Sequence, residues 1–273
     1  MKKIFIRKKK NNFLVLLVAL AAILLGSGTF QTKFNNLVKS SGITSFNKNI
    51  GNISNDDMFT KTYQSGDSAY VYVNHNKSEL DPNSWNYDHV EYGNLDNLNR
   101  TTKAVAYLDK SNLVQSNTRT RQVWNPTGWH QKRMNIDGKN IEILNRGHLI
   151  AYSVTGKLDN NGNFNPSDLG SLDNPKNLAT QTAFSNQKTM QIFEEKVRNA
   201  LKQNKKVVYR VSTIFKGNDL MPSGYHSQAI STDGTLNFNV YIWNVQPGVQ
   251  FDYATGRSQM NQNMKVPNPM KKF

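Results

Sequence analysis

One stretch constrains this chain more than any other. Residues 141–151 read Ile-Glu-Ile-Leu-Asn-Arg-Gly-His-Leu-Ile-Ala, a polar tetrad set between two apolar flanks. Such flanks carry the tetrad toward a core. Asn145, Arg146 and His148 must then meet partners, because burying polar groups unpaired is costly. An imidazole, a guanidinium and a carboxamide held together at a core margin form a set suited to an anionic ligand.

The charge balance agrees. The 273 residues carry 34 Lys/Arg against 19 Asp/Glu, a formal net charge of +15. Charge alone fits a nucleic acid or another anionic surface about as well as it fits a basic protein with no charged partner. Residues 1–28 hold much of that charge as Lys2, Lys3, Arg7, Lys8, Lys9 and Lys10, followed by an apolar run from Phe13 to Leu25. A basic start and an apolar run too short for a comfortable membrane span make a signal segment, with an uncleaved anchor as the alternative. The chain has no Cys, which excludes disulfides and thiolate chemistry.

Residues 29–59 are polar and rich in Asn, Ser and Gly, and read as a weakly ordered leader. Strands are expected at 69–74, 103–108, 141–144 and 205–214, with one further short strand or coil at 118–123. The segment 235–245 alternates Leu236, Phe238, Val240 and Ile242 with polar or amphipathic residues, the pattern of a half-buried strand. Residues 259–273 read as a basic tail. No repeat or linker divides the remainder. A single α+β domain over 60–258, with a mainly antiparallel sheet and one long helix, is the economical reading.

That helix is expected from Phe184 to Gln203. At helical spacing Met190, Phe193, Val197, Ala200 and Leu201 share one stripe, which packs on the sheet. Asn186 lies near the same stripe at the helix start, and Glu194 and Arg198 sit one turn apart along its edge. Taken singly, these are an ordinary helix-start residue and an ordinary i,i+4 pair. Together with His148 they suit phosphodiester cleavage. A His is well matched to take a proton from water near neutral pH. Cationic groups stabilise the extra negative charge at phosphorus. Mg²⁺ keeps most of its waters and needs few protein oxygens, so one carboxamide suffices. No His/Cys cluster has zinc spacing.

On these residues the chain resembles the DNA/RNA non-specific endonucleases of the ββα-metal class. The family motif Asp-Arg-Gly-His stands here as Asn145-Arg146-Gly147-His148. The likeness continues through Asn125–Gln131, Asn174–Asn177, Gln181–Gln187, Phe193-Glu194 and Lys196–Arg198. It implies a ββα-metal fold, with His148 as general base and Asn186 as the protein ligand of Mg²⁺, for which Mn²⁺ can substitute. Glu194 would hold the metal's water shell, and Arg198 would contact the phosphate. Asn177 and Gln181 fall where substrate-side polar residues are expected. Arg146 fits either a structural bridge or a phosphate contact. Lys132 and Arg133, with Lys139, Arg119 and Arg121, are candidate backbone-phosphate contacts or ordinary solvated charge. Asn145 replaces the motif Asp and brings no negative charge to raise the basicity of His148. His130 reads as a packed or surface residue, and His75, His89 and His226 as solvent-facing.

Two functions are weighed. The first is a secreted, Mg²⁺-dependent, monomeric endonuclease cutting DNA, with RNA as a further candidate substrate. The second is an exported binding or mitogenic factor on a nuclease-like fold without turnover. Retention of His148, Asn186, Glu194 and Arg198 favours the first, since a pure binder has no use for that set. An HNH-type nuclease is disfavoured, because its helix usually brings a second His where this one brings Asn186.

Overall fold

The computed structural model describes residues 50–115, 122–168 and 170–269. The signal segment, most of the leader, Arg119, Arg121 and the last residues of the basic tail lie outside them. The order of strands is β1 (Asn52–Ile53), β2 (Tyr70–Val73), β3 (His89–Tyr92), β4 (Lys103–Leu108), β5 (Arg133–Ile136), β6 (Lys139–Glu142) and β7 (Leu144–His148). Then follow β8 (Leu178–Thr182), β9 (Val207–Ile214), β10 (Gly224–Ser231), β11 (Asn237–Trp243), β12 (Val249–Asp252) and β13 (Arg257–Met260). Helix α1 spans Asp57–Thr60 and helix α2 spans Gln191–Lys202.

Seven strands form the central sheet in the order β1-β2-β11-β10-β9-β4-β3. All its pairs are antiparallel except β1 with β2. Three two-stranded pairs, β5–β6, β7–β8 and β12–β13, lie outside it. The expected α+β architecture is therefore the one observed.

Helix α2 covers one face of the sheet. Its Ile192, Phe193, Val197, Ala200 and Leu201 are buried, as the apolar stripe requires. Phe193 meets Tyr70 and Phe238 at centroid distances of 5.1 and 5.2 Å. Each large side chain buried in this way contributes about 1.5–3 kcal/mol. The other face is covered too, which corrects the half-buried reading of β11. Phe238, Val240 and Ile242 join the cluster under α2, while Tyr241 and Trp243 join a second cluster with Ile53, Met58 and Tyr63. Residues 50–59 are thus part of the packed body rather than leader. At the other end Val266 is buried in the same second cluster, so packing continues past residue 258.

His226 on β10 is another correction, being buried rather than solvent-facing. Its Nε2 lies 2.6 Å from Asn239 Oδ1 on β11. Burial holds its pKa below the ordinary value; the Asn239 bond opposes this, Arg210 adds to it, and Glu79 opposes it. The folded ring therefore binds its proton later than the unfolded ring as pH falls. Stability is expected to decline as pH drops from about 6.5 toward the lowered folded value and to level off below it. Urea midpoints across that window should fall for the wild type and fall less for His226→Gln; equal slopes would exclude this origin. Of the other histidines, His75 is exposed, whereas His89 is half-buried between the rings of Tyr87 and Tyr107.

Candidate active site

The tetrad is itself a strand. β7 pairs antiparallel with β8, setting Asn145 opposite Gln181 and His148 opposite Leu178. Immediately after β8 the chain enters a π-helical turn, Ser185–Met190, which runs into α2. Turns of this wide pitch occur mostly inside longer helices and often at functional sites. Two strands and a helix thus present the tetrad and Asn186 to one another.

Gly147 makes the close packing possible. A Cβ there would stand 2.2 Å from Gln181 Oε1. The Gln181 side chain lies across β7 in the space that glycine leaves. From there it joins a relay of amides: Asn145 Nδ2 donates to Asn186 Oδ1 at 3.0 Å, and Asn186 Nδ2 donates to Gln181 Oε1 at 3.0 Å. Gln181 Nε2 then donates to Ser185 Oγ at 3.0 Å. Gln181 is fully buried, so it positions Asn186 rather than reaching a substrate. Asn145 likewise acts on Asn186, a different role from tuning the imidazole.

His148 is 9% exposed, and its Nε2 lies 2.8 Å from the main-chain oxygen of Leu172. A carbonyl only accepts, so Nε2 carries the proton and Nδ1 keeps the basic lone pair. Gln122 Nε2 donates to the same oxygen at 3.2 Å. The orienting partner of the ring is therefore a neutral peptide group.

Arg146 resolves as a bridge. Its Nε donates to Trp124 O at 2.6 Å and its Nη2 to Asn125 Oδ1 at 2.7 Å. Its guanidinium also lies 4.6 Å from the Trp129 ring centroid. These contacts fasten β7 to the aromatic turn that precedes β5. On α2, Arg198 Nη1 is 3.7 Å from Glu194 Oε2 and donates to Ser153 Oγ at 3.4 Å.

Asn177 is fully buried and wholly committed to the main chain of Ile150. It accepts from Ile150 N at 2.9 Å and donates to Ile150 O at 3.0 Å. It clamps the chain at Ile150, two residues beyond His148, a structural position in place of the expected substrate-side one. Lys132 and Arg133 lie at the start of the β5–β6 hairpin, both exposed. Lys132 Nζ donates to Ser258 O at 3.1 Å, and Arg133 pairs with Glu142 at 3.0 Å.

Asn145, Arg146, His148, Asn186 and Glu194 line one cleft of about 270 Å³, with Gln122, Trp129 and Tyr152 among its other walls. Lys132 and Arg133 are not among its walls. Tyr152 was not singled out by the sequence; four residues after His148, it looks like ordinary core. The donor set is of hard oxygens, a carboxamide and a carboxylate. Among the described residues no group of three His, Cys, Asp or Glu could hold an ion. An ion here would keep most of its coordination as water, which suits Mg²⁺ and not a structural zinc.

A ββα unit with an imidazole on the first strand and a carboxamide at the head of the helix defines a ββα-metal nuclease architecture. Residues 78–232, more than half of the chain, match the family model for DNA/RNA non-specific endonucleases, and the chain belongs to that family. It is 37% identical to NucA from Streptococcus agalactiae in a metal-free crystal structure, with a TM-score of 0.58, covering 69% of this chain and 85% of NucA. Against the magnesium-bound form the values are 36% and 0.59 over the same shares. Sda1 nuclease, solved with zinc, shares the fold at 19% identity and a TM-score of 0.54, covering 71% of this chain and 97% of Sda1. A deoxyribonuclease from Streptococcus dysgalactiae subsp. equisimilis is 26% identical over 195 residues, 61% of this chain. The chain spans about three fifths (59%) of that curated relative's length.

Proposed function

We propose that this chain is a Mg²⁺-dependent endonuclease that hydrolyses DNA without sequence preference, leaving 5′-phosphate and 3′-hydroxyl ends, with RNA as a further substrate. The observation that carries the reading is a single cleft lined at once by His148, Asn186 and Glu194. The magnesium-bound form of NucA supports the choice of ion.

His148 Nδ1 takes a proton from a water, whose oxygen attacks phosphorus as the bond to the 3′-oxygen breaks. That oxygen leaves as the 3′-hydroxyl after gaining a proton from solvent. Asn186 Oδ1 would be the direct ligand of Mg²⁺, and Glu194 would accept hydrogen bonds from the ion's waters. When bound, such an ion would supply positive charge against the negative charge that builds up in the transition state. Arg198 sits beside Glu194, where a guanidinium can add charge at the phosphate. Contacts to phosphate carry no sequence information, which suits cutting without sequence preference.

Purified protein with Mg²⁺ should nick and linearise plasmid DNA, and EDTA should abolish the cutting. Excess Mg²⁺ or Mn²⁺ should restore it. Protein that gives the same slow cutting with and without EDTA would sink the reading. A structured RNA in the same assay decides the second substrate.

Export fits the basic and apolar N-terminal segment. Among the described residues no helix is long and apolar enough to cross a membrane. Finding the intact chain in the cytoplasmic fraction, with none in the medium, would count against export.

A further inference from the structure

A second cleft of about 450 Å³ adjoins the first and shares Glu194 with it. Its walls include Val114, Ser153, Gln191, Arg198 and Lys202. Val114 N donates to Ser153 O at 3.1 Å, which fixes the wall opposite the helix. Arg198 and Lys202 lie four residues apart on α2, so their side chains share one face. They are separated by about 6 Å along the axis, on the order of one nucleotide step. Arg198 is held at the inner end by Glu194 and Ser153. Lys202 is exposed at the outer end, and no ion pair to it occurs among the described residues.

We infer that this second cleft continues the substrate groove and that Lys202 binds the phosphate next to the one being cut. The inference rests on the nuclease reading above and deepens it. Two routes out of the first cleft can be drawn past described wall residues for a strand whose scissile phosphate lies by His148, Asn186 and Arg198. One passes Trp129 and Arg146, whose guanidinium is already bound to main chain, side chain and ring. The other passes Glu194 and follows α2, where a positive charge waits one turn beyond Arg198. Lys202 also sits at the C-terminal end of α2, where a cation is favourable for the helix itself. The test must separate that role from binding.

The measurement is affinity for a short duplex as a function of salt, made on full-length His148→Ala with Mg²⁺ so that the DNA stays intact. A phosphate contact contributes about 0.9 to the slope of log K against log salt for duplex DNA. Adding Lys202→Gln should lower the slope by about that amount and weaken binding alike on unrelated sequences. Lys77→Gln, which removes an equal charge from a residue lining neither cleft, should leave the slope unchanged. In the His148-containing enzyme Lys202→Gln should raise KM and leave kcat within about twofold. A helix-end role alone would instead lower Tm with the slope intact. An unchanged slope overturns this inference while leaving the nuclease reading in place. A His148→Ala protein that binds no DNA overturns both.

Discussion

Replacing His148 by Ala should lower kcat on DNA by about 10²–10⁴-fold, the range for losing a positioned general base. The geometry makes this more than a guess from the motif. The Leu172 carbonyl holds the ring through Nε2 and fixes the tautomer, so Nδ1 carries the basic lone pair the ring can offer. The other candidates on the cleft wall are committed elsewhere: Glu194 is engaged with Arg198 and Glu142 with Arg133, and Asn145 and Asn186 are amides. The variant should keep its circular dichroism spectrum, because the Leu172 carbonyl that loses the ring still accepts from Gln122 Nε2, and it should still bind DNA. Steady-state cleavage of a fluorescent duplex checks the point. A variant that cuts as fast as wild type would place the base elsewhere and remove the role assigned to the tetrad.

The largest stability effect at the site is expected from Asn177→Ala, at about 2–6 kcal/mol. The change leaves the N–H and the C=O of Ile150 without partners in a fully buried setting. Each orphaned group costs about 1–3 kcal/mol. Asn177→Asp separates two contributions, since a carboxylate still accepts from Ile150 N but faces the Ile150 carbonyl with a second acceptor. It should fall between wild type and Ala if protonated, and at or below Ala if ionised. Urea denaturation followed by tryptophan fluorescence measures both. Activity should fall with stability, because the clamp holds the chain two residues past the ring of His148. An Ala variant as stable as wild type would mean that water or a backbone shift satisfies Ile150.

The parts legible in the sequence were those that obey a periodicity. The stripe Met190–Leu201 fixed the face of α2, and the β-branched runs marked β9 and much of β11. What escaped was polar and buried. β10 reads Gly-Tyr-His-Ser-Gln-Ala-Ile-Ser and is buried along its whole length. Its Gln228 is satisfied by Ser78 and the main chain of Glu79, some 150 residues away in sequence. β8, Leu-Ala-Thr-Gln-Thr, is fully buried for a similar reason, its Thr182 bonding Val245 O and Asn244 Oδ1. Hydrophobic patterning cannot see such strands, because distant loops supply their partners. The same blindness explains Asn177 and Gln181. Their residue types pointed to the site, but only the fold shows that both are buried and bonded to backbone or amide and hydroxyl neighbours.

The relay of carboxamides has a direction. It runs from residue 145 through Asn186 and Gln181 to the hydroxyl of Ser185, each group donating to the next. A carboxylate at 145 could only accept, so the Asn186 amide would turn over to donate to it, and Gln181 would turn in response. Ser185 would then give its hydrogen instead of receiving one. Every bond survives this reversal, with donors and acceptors exchanged along the row. Asn and Asp are thus both compatible with a fully bonded row, but the reversal carries Asn186 Oδ1 from the residue-145 side to the buried Gln181 side, so the side chain at 145 sets which way the oxygen proposed to hold the ion points.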